Sequence, residues 1–252
     1  MRSRMMLAAA LVGLPLCSAP VMAQDEESQG LFGTEFLEGW DRRFTLGIDG
    51  QEGNTTELNF FAQLELNYAD ETDRWDIDFK YDYGTEDSEN VDNEFTARVL
   101  KDWLIPDQKY FYWASAEYEY DQFESYEQRI SGYGGAGYEI FKDEKHEVNG
   151  RAGAGLIQEI SPDDLRPEGV IGVEWKWDIN ENQDLVASNY ILPSLEDLGE
   201  FRNLTAVDWV IAMDAAEGLS LRIGVENEYD TNVEAGSKRN DFEYRIALVL
   251  DF

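Results

Sequence analysis

Arg74-Trp75-Asp76-Ile77-Asp78-Phe79-Lys80-Tyr81-Asp82-Tyr83 decides how this chain folds. Apolar and aromatic side chains take every second place from Trp75 to Tyr83, and charges take the places between them. A period of two puts one kind on one face of an extended strand and the other kind on the opposite face. Working outward, the alternation returns in Leu58, Phe60, Ala62, Leu64, Leu66 and Tyr68. It returns again in Tyr110, Tyr112, Ala114, Ala116, Tyr118 and Tyr120, and in Ile171, Val173, Trp175, Trp177 and Ile179. The last run is Phe242, Tyr244, Ile246, Leu248, Leu250 and Phe252. Such runs of about ten residues or slightly more exceed the usual globular strand and suit a tilted strand that crosses a membrane.

The periodicity predicts about twelve strands, near 40–49, 56–69, 74–84, 93–104, 109–121, 125–140, 146–158, 168–179, 184–192, 201–213, 219–230 and 241–252. Two kinds of connection alternate between them. Turns at 70–73, 106–108, 141–145, 180–182 and 214–218 are short, while 84–92, 158–167, 193–200 and 231–240 are longer, though 50–54 and 122–124 are brief. An even strand number with short turns at one end and longer loops at the other predicts an all-β fold. It is a transmembrane up-and-down antiparallel β-barrel with both termini on the periplasmic side.

Averages hide this pattern. The 252 residues carry 53 Asp+Glu against 20 Lys+Arg, a formal charge of −33. Mean hydropathy is −0.49, and no apolar run after residue 16 reaches the roughly 18 residues a membrane helix needs. Alternation dilutes an apolar face with a polar one, so a window average sees neither. Nucleic acid is excluded as a partner, since so negative a surface repels phosphates.

The aromatics test the barrel independently. Trp40, Tyr68, Trp75, Trp103, Tyr110, Tyr138, Trp177 and Phe252 fall at strand ends beside short turns. Tyr83, Phe95, Tyr120, Tyr126, Tyr190, Tyr229 and Phe242 fall at the ends beside longer loops, and each is expected on its strand's apolar face. Two girdles at two interfaces fit a barrel in lipid. A soluble β-sandwich would instead concentrate its aromatics at strand middles, where the core is thickest.

The first 23 residues read as a secretory signal. Arg2 and Arg4 precede the apolar stretch Met5 to Leu16, and Val21-Met22-Ala23 supplies small residues at the cleavage positions. Its removal takes away two cations, no acid and the only cysteine, leaving 18 Lys+Arg against 53 Asp+Glu, a net −35. An acidic leader at 24–39 would then precede the barrel at 40–252.

Several stretches resemble one family, the salt-induced outer-membrane proteins, a domain of unknown function. They are Phe44-Thr45-Leu46-Gly47-Ile48 with Gly53-Asn54-Thr55, Arg74-Trp75-Asp76 with Tyr81-Asp82-Tyr83-Gly84, and Gly134-Gly135-Ala136-Gly137-Tyr138, with Tyr229-Asp230 before the final strand. The resemblance covers the chain from about Trp40. It implies an outer-membrane β-barrel and brings no established activity. The last strand, ending in Phe252, also resembles the C-terminal signal that such barrels present to their assembly machinery.

The inward faces hold the residues of functional interest. Arg43, Arg98, Arg129, Arg151, Glu174, Lys176, Arg222, Glu226 and Arg245 are the candidate pore-lining set. Two readings stay open: an ion-paired interior that satisfies itself, or charge rings that select solutes. About twelve strands lies between the eight that side chains fill and the sixteen or more that leave an aqueous channel.

Catalysis is the weaker alternative. A barrel hydrolase acting on lipid or on a surface substrate needs a base near the working pH at the outer rim. The one histidine, His146, falls beside a short turn with lipid-side parity. The acids Glu86, Asp87, Glu89, Asp92 and Glu94 crowd one loop but match no calcium-loop spacing. Gly132, Gly134, Gly135, Gly137, Gly150, Gly153 and Gly155 read as closely approaching strands, not as a phosphate loop. No cofactor or metal is implied. The expected role is a monomeric small passive pore or an envelope-integrity protein, in contact with outer-membrane lipid and lipopolysaccharide.

Overall fold

The computed structural model describes residues 37–52, 56–86, 89–124, 126–160, 164–197, 199–233 and 238–252. The expected signal segment, most of the expected leader, Gly53-Asn54-Thr55 and Asp87 lie outside the described residues. The twelve strands are β1 (Asp41–Glu52), β2 (Thr56–Ala69), β3 (Asp73–Glu86), β4 (Glu89–Leu104), β5 (Tyr110–Asp121) and β6 (Gln128–Lys142). They continue as β7 (His146–Glu159), β8 (Asp164–Asn180), β9 (Gln183–Pro193), β10 (Phe201–Ala212), β11 (Leu219–Asp230) and β12 (Asn240–Asp251). Each pairs with its sequence neighbour, and β1 pairs antiparallel with β12 to close the barrel.

Closure leaves no free edge, which is what a sheet surrounded by hydrocarbon requires. At a spacing of about 4.8 Å and a tilt of about 40°, twelve strands enclose a ring about 24 Å across, backbone to backbone. At the end where β1 begins and β12 finishes, carboxylate- and amide-capped turns reverse the strands. Asp70 Oδ1 accepts the backbone N–H groups of Thr72 (2.7 Å) and Asp73 (2.8 Å). Asp143 Oδ1 accepts those of Lys145 and His146, both at 2.8 Å, and Asn180 Oδ1 that of Asn182 at 3.0 Å. These are the Asx-turns that Asp and Asn favour. Gly218 closes the last short turn at φ +73°, with its α-carbon against the backbone of Asp251.

The period-two reading is realised as two faces. Leu46, Phe60, Tyr110, Ile171, Ile246 and Leu248 stand exposed on the outer wall. Their chain neighbours Thr45, Phe61, Phe111, Val170, Ala247 and Val249 are buried inside. Trp75, Tyr83, Trp103, Tyr110, Tyr120, Tyr138, Trp177 and Tyr229 share the register rows of that outer wall. Trp40 sits just before β1 against the ring of Tyr68, and Phe252 just after β12 under the Arg42 guanidinium.

Two residues of the loop-end girdle are placed differently. Tyr190 points inward: its hydroxyl donates to Glu174 and its ring packs on an interior apolar cluster. β9 carries apolar residues on both faces, Leu185 and Ile191 outside, Val186 and Leu192 inside, so parity alone assigns no side there. Tyr126 lies in the β5–β6 connection, where it donates to the inward Glu119 under the Arg129 guanidinium.

The interior cluster consists of Phe111, Trp113, Val170 and Leu192, with Leu100, Leu104, Tyr133, Tyr190 and Leu204 against it. Room for its rings comes from inward glycines on neighbouring strands. Phe111 lies over Gly137, Tyr133 over Gly155 and Tyr190 over Gly172, each ring occupying the place a Cβ would take. This interior core was not part of the sequence expectation.

Candidate functional site

The inward faces of all twelve strands form one continuous interior, and its charged side chains fall into three groups. The first lies toward the short-turn end of β3, β4, β7 and β8. Arg151 Nη1 and Nη2 donate to Asp102 Oδ1 and Oδ2 at 2.5 and 3.0 Å, and its Nε donates to Glu174 at 3.2 Å. Arg74 reaches the same Asp102 at 2.9 Å and Glu147 at 2.7 Å. Asp102 and Arg151 stand three strands apart, and Arg74 and Glu147 four, so these bridges cross the interior instead of running along the wall. The Asp102 side chain is 2% exposed and that of Arg151 4%. Both guanidiniums also lie over Phe111, 5.2 Å from its ring centre for Arg74 and 5.0 Å for Arg151.

The second group joins β2, β11, β12 and β1 to β3. Arg222 donates to Gln63 at 3.2 Å and to Glu65 at 2.7 Å, again three strands away. Arg245 pairs with Glu226, and Lys80 stands 3.0 Å from Asp82 and 3.6 Å from Glu243. Arg43 pairs with Asp251 at 2.8 Å at the barrel seam. Toward the loop end, Arg129 pairs with Glu119 at 2.6 Å, and Arg202 with Glu168 at 3.0 Å.

The third group is not bridged in this way. Arg98 sits in register between Asp78 of β3 and Glu117 of β5, yet remains exposed within the barrel. Lys176 is likewise inward and exposed, and Asp76 lies within electrostatic range of both cations. The nine candidate pore-lining residues are therefore all inward. Seven of them are held in ion pairs, while Arg98 and Lys176 face open interior.

Sequence reasoning missed the residues that organise the first group. Asp102, Phe111 and Trp113 have the inward parity of their strands, which was the available signal. That they meet Arg151 depends on a register no alternation reveals.

His146 is at the short-turn end on the outer wall. Its ring stacks with Trp175 and Trp177, and Trp175 Nε1 donates to its Nδ1 at 3.3 Å. Its setting is that of an interfacial aromatic residue. Among the described residues no three His, Cys, Asp or Glu side chains converge on a metal position.

These features define a class: a closed antiparallel β-barrel with an apolar outer wall and a charged, partly bridged interior. A family profile described as "Protein of unknown function, DUF481" matches residues 44–252, and the chain belongs to that family. No curated protein matches it by sequence. Among solved structures, the NanC porin in a rhombohedral crystal form superposes with a TM-score of 0.54 at 10% identity, covering 83% of this chain and 100% of the porin's. An outer-membrane channel from Pseudomonas putida F1 superposes with a TM-score of 0.53 at 11% identity, covering 84% and 95%. The KdgM porin gives 0.50 at 7% identity, covering 82% and 99%. At these identities the likeness establishes the fold.

Proposed function

We propose that this chain is exported by its signal segment to the outer membrane of a Gram-negative envelope. There it acts as a narrow passive pore that favours cations, with no catalytic activity. The short turns and termini face the periplasm, the loops face outward, and the aromatic rows contact lipid and lipopolysaccharide. The barrel works as a monomer, inserted by the assembly machinery that reads Phe252.

The observation that carries this reading is Arg98. A cation flanked in register by Asp78 and Glu117 would be closed off if the interior were filled, and it is exposed instead. The charges that act on it most strongly are the acids Asp78, Glu117, Asp76 and Glu226. Two unit charges about 6 Å apart interact by about 3 kcal/mol at an effective dielectric of about 20, several times thermal energy. A passage lined this way concentrates cations and repels anions.

A second reading, a closed barrel that strengthens the envelope, is favoured by the interior cluster around Phe111 and Trp113. Planar-bilayer recording of the purified protein separates the two. Discrete conductance steps support the pore, and a silent bilayer across potassium and sodium salts overturns it in favour of the structural role.

A further inference from the structure

We infer that the Arg74–Asp102–Arg151 bridge is the constriction of the barrel, with Asp102 as the residue that sets its selectivity. The inference rests on the pore reading and names where in the barrel passage is limited. Most interior ion pairs join adjacent or next-adjacent strands, and Arg222–Glu65 and Lys80–Glu243 span three, whereas the Arg74–Glu147 arm of this bridge spans four. This bridge joins β3, β4 and β7. Its span is fixed at both ends: Arg74 continues to Glu147 at 2.7 Å, and Arg151 to Glu174 at 3.2 Å. Tyr190 donates its hydroxyl to the same Glu174, which ties β9 into the network.

Three observations make Asp102 its centre. Both carboxylate oxygens are used, one by Arg151 Nη1, the other by Arg151 Nη2 and Arg74 Nη2. One negative charge thus holds two positive ones. The side chain is the least exposed of the bridge at 2%. And the ring of Phe111, seated over Gly137, carries both guanidiniums, at 5.2 and 5.0 Å from its centre, so neither arginine can swing toward that wall. Cation–π contact on one side and a shared carboxylate on the other fix planar guanidiniums far better than ion pairing alone.

The bridge carries the guanidiniums of Arg74 and Arg151, with the Lys142 ammonium on Glu147, against the carboxylates of Asp102, Glu147 and Glu174. Removing the Asp102 charge frees the forks of both arginines into the interior. The passage widens there, and the balance at the narrowest point turns from neutral to net positive. Selectivity must then move toward anions.

The test uses full-length protein in planar bilayers under a potassium chloride gradient, with heat-modifiable gel migration to confirm folding. Asp102→Asn is expected to raise the unitary conductance and shift the reversal potential toward that of chloride, and Asp102→Glu to restore most of the cation preference. The triple variant Arg74→Gln, Asp102→Asn, Arg151→Gln removes both cations together with the acid they share, leaving Glu147 on Lys142 and Glu174 on the Tyr190 hydroxyl, and serves as the second test where Asp102→Asn alone fails to fold. It is expected to conduct more than wild type and to stay cation-selective. Folded variants with wild-type conductance and reversal potential would overturn the inference while leaving the pore reading intact. If wild type is silent and the triple variant conducts, the constriction stands and the resting-pore reading falls. If both are silent, the constriction is refuted as well.

Discussion

The ring of Phe111 lies over Gly137 of the adjacent strand, inside the barrel, in the space a Cβ at position 137 would fill. Three residues away on the same strand, Gly134 faces outward, and a Cβ there meets only the carbonyl oxygen of Trp113 at 3.4 Å. The two glycines therefore answer differently to substitution. Gly137→Val displaces Phe111 and with it the platform under Arg74 and Arg151, and is expected to lower unfolding stability by about 1–3 kcal/mol. Gly134→Ala is expected to stay within about 0.5 kcal/mol of wild type. Urea titration of the reconstituted barrel followed by tryptophan emission measures both, and equal losses would contradict the packing described.

The short turns carry a pH dependence of definite sign. The backbone N–H groups of Lys145 and His146 hold the Asp143 carboxylate below its ordinary range, and those of Thr72 and Asp73, with the Tyr68 hydroxyl, do the same for Asp70. A carboxylate lowered in the folded state stabilises the fold above its unfolded pKa, about 4, and loses that contribution as pH falls through the folded value. The melting-temperature gap between wild type and Asp143→Ala should be widest near neutrality and close below pH about 4. A gap that widens on acidification would show the sign to be wrong.

Phe252 has two partners at the seam. Its backbone N–H donates to the Arg42 carbonyl at 3.0 Å, and the Arg42 guanidinium lies 5.2 Å from its ring centre. Deleting Phe252 removes both, along with the terminal residue of the assembly signal, and should sharply reduce the heat-modifiable form in outer-membrane fractions. An undiminished yield would take Phe252 out of the account of assembly.

Tryptophans report on the two faces separately. Trp209 stands on the outer wall between Leu185 and Ile223, whereas Trp113 is 4% exposed inside, donating its Nε1–H to the Ala136 carbonyl at 3.2 Å. In bilayers of lipids brominated on the acyl chains, a variant keeping only Trp209 should be strongly quenched and one keeping only Trp113 hardly at all. Quenching of Trp113 would invert the assigned faces.

What the sequence revealed followed from periodicity. The strands, their number and the outer wall are local properties, each settled by whether a residue and its second neighbour share polarity. Trp75 to Tyr83 and Phe242 to Leu250 were legible for that reason. β9 was less so, because Val186, Tyr190 and Leu192 face inward while Leu185 and Ile191 face outward, and Tyr190 took the wrong side. The interior was legible only as a list of inward charges. Asp102 and Arg151 are 49 residues apart, and their meeting depends on the shear accumulated across β4 to β7 and on the glycines that seat Phe111. Neither leaves a period in the sequence.

The central claim is that acids govern what passes through this barrel. It is tested most directly by the zero-current potential of the wild-type protein in a planar bilayer between concentrated and dilute potassium chloride. The account predicts a potential of the sign set by potassium, larger when the dilute side is more dilute and screening is weaker. A potential of the sign set by chloride would contradict it.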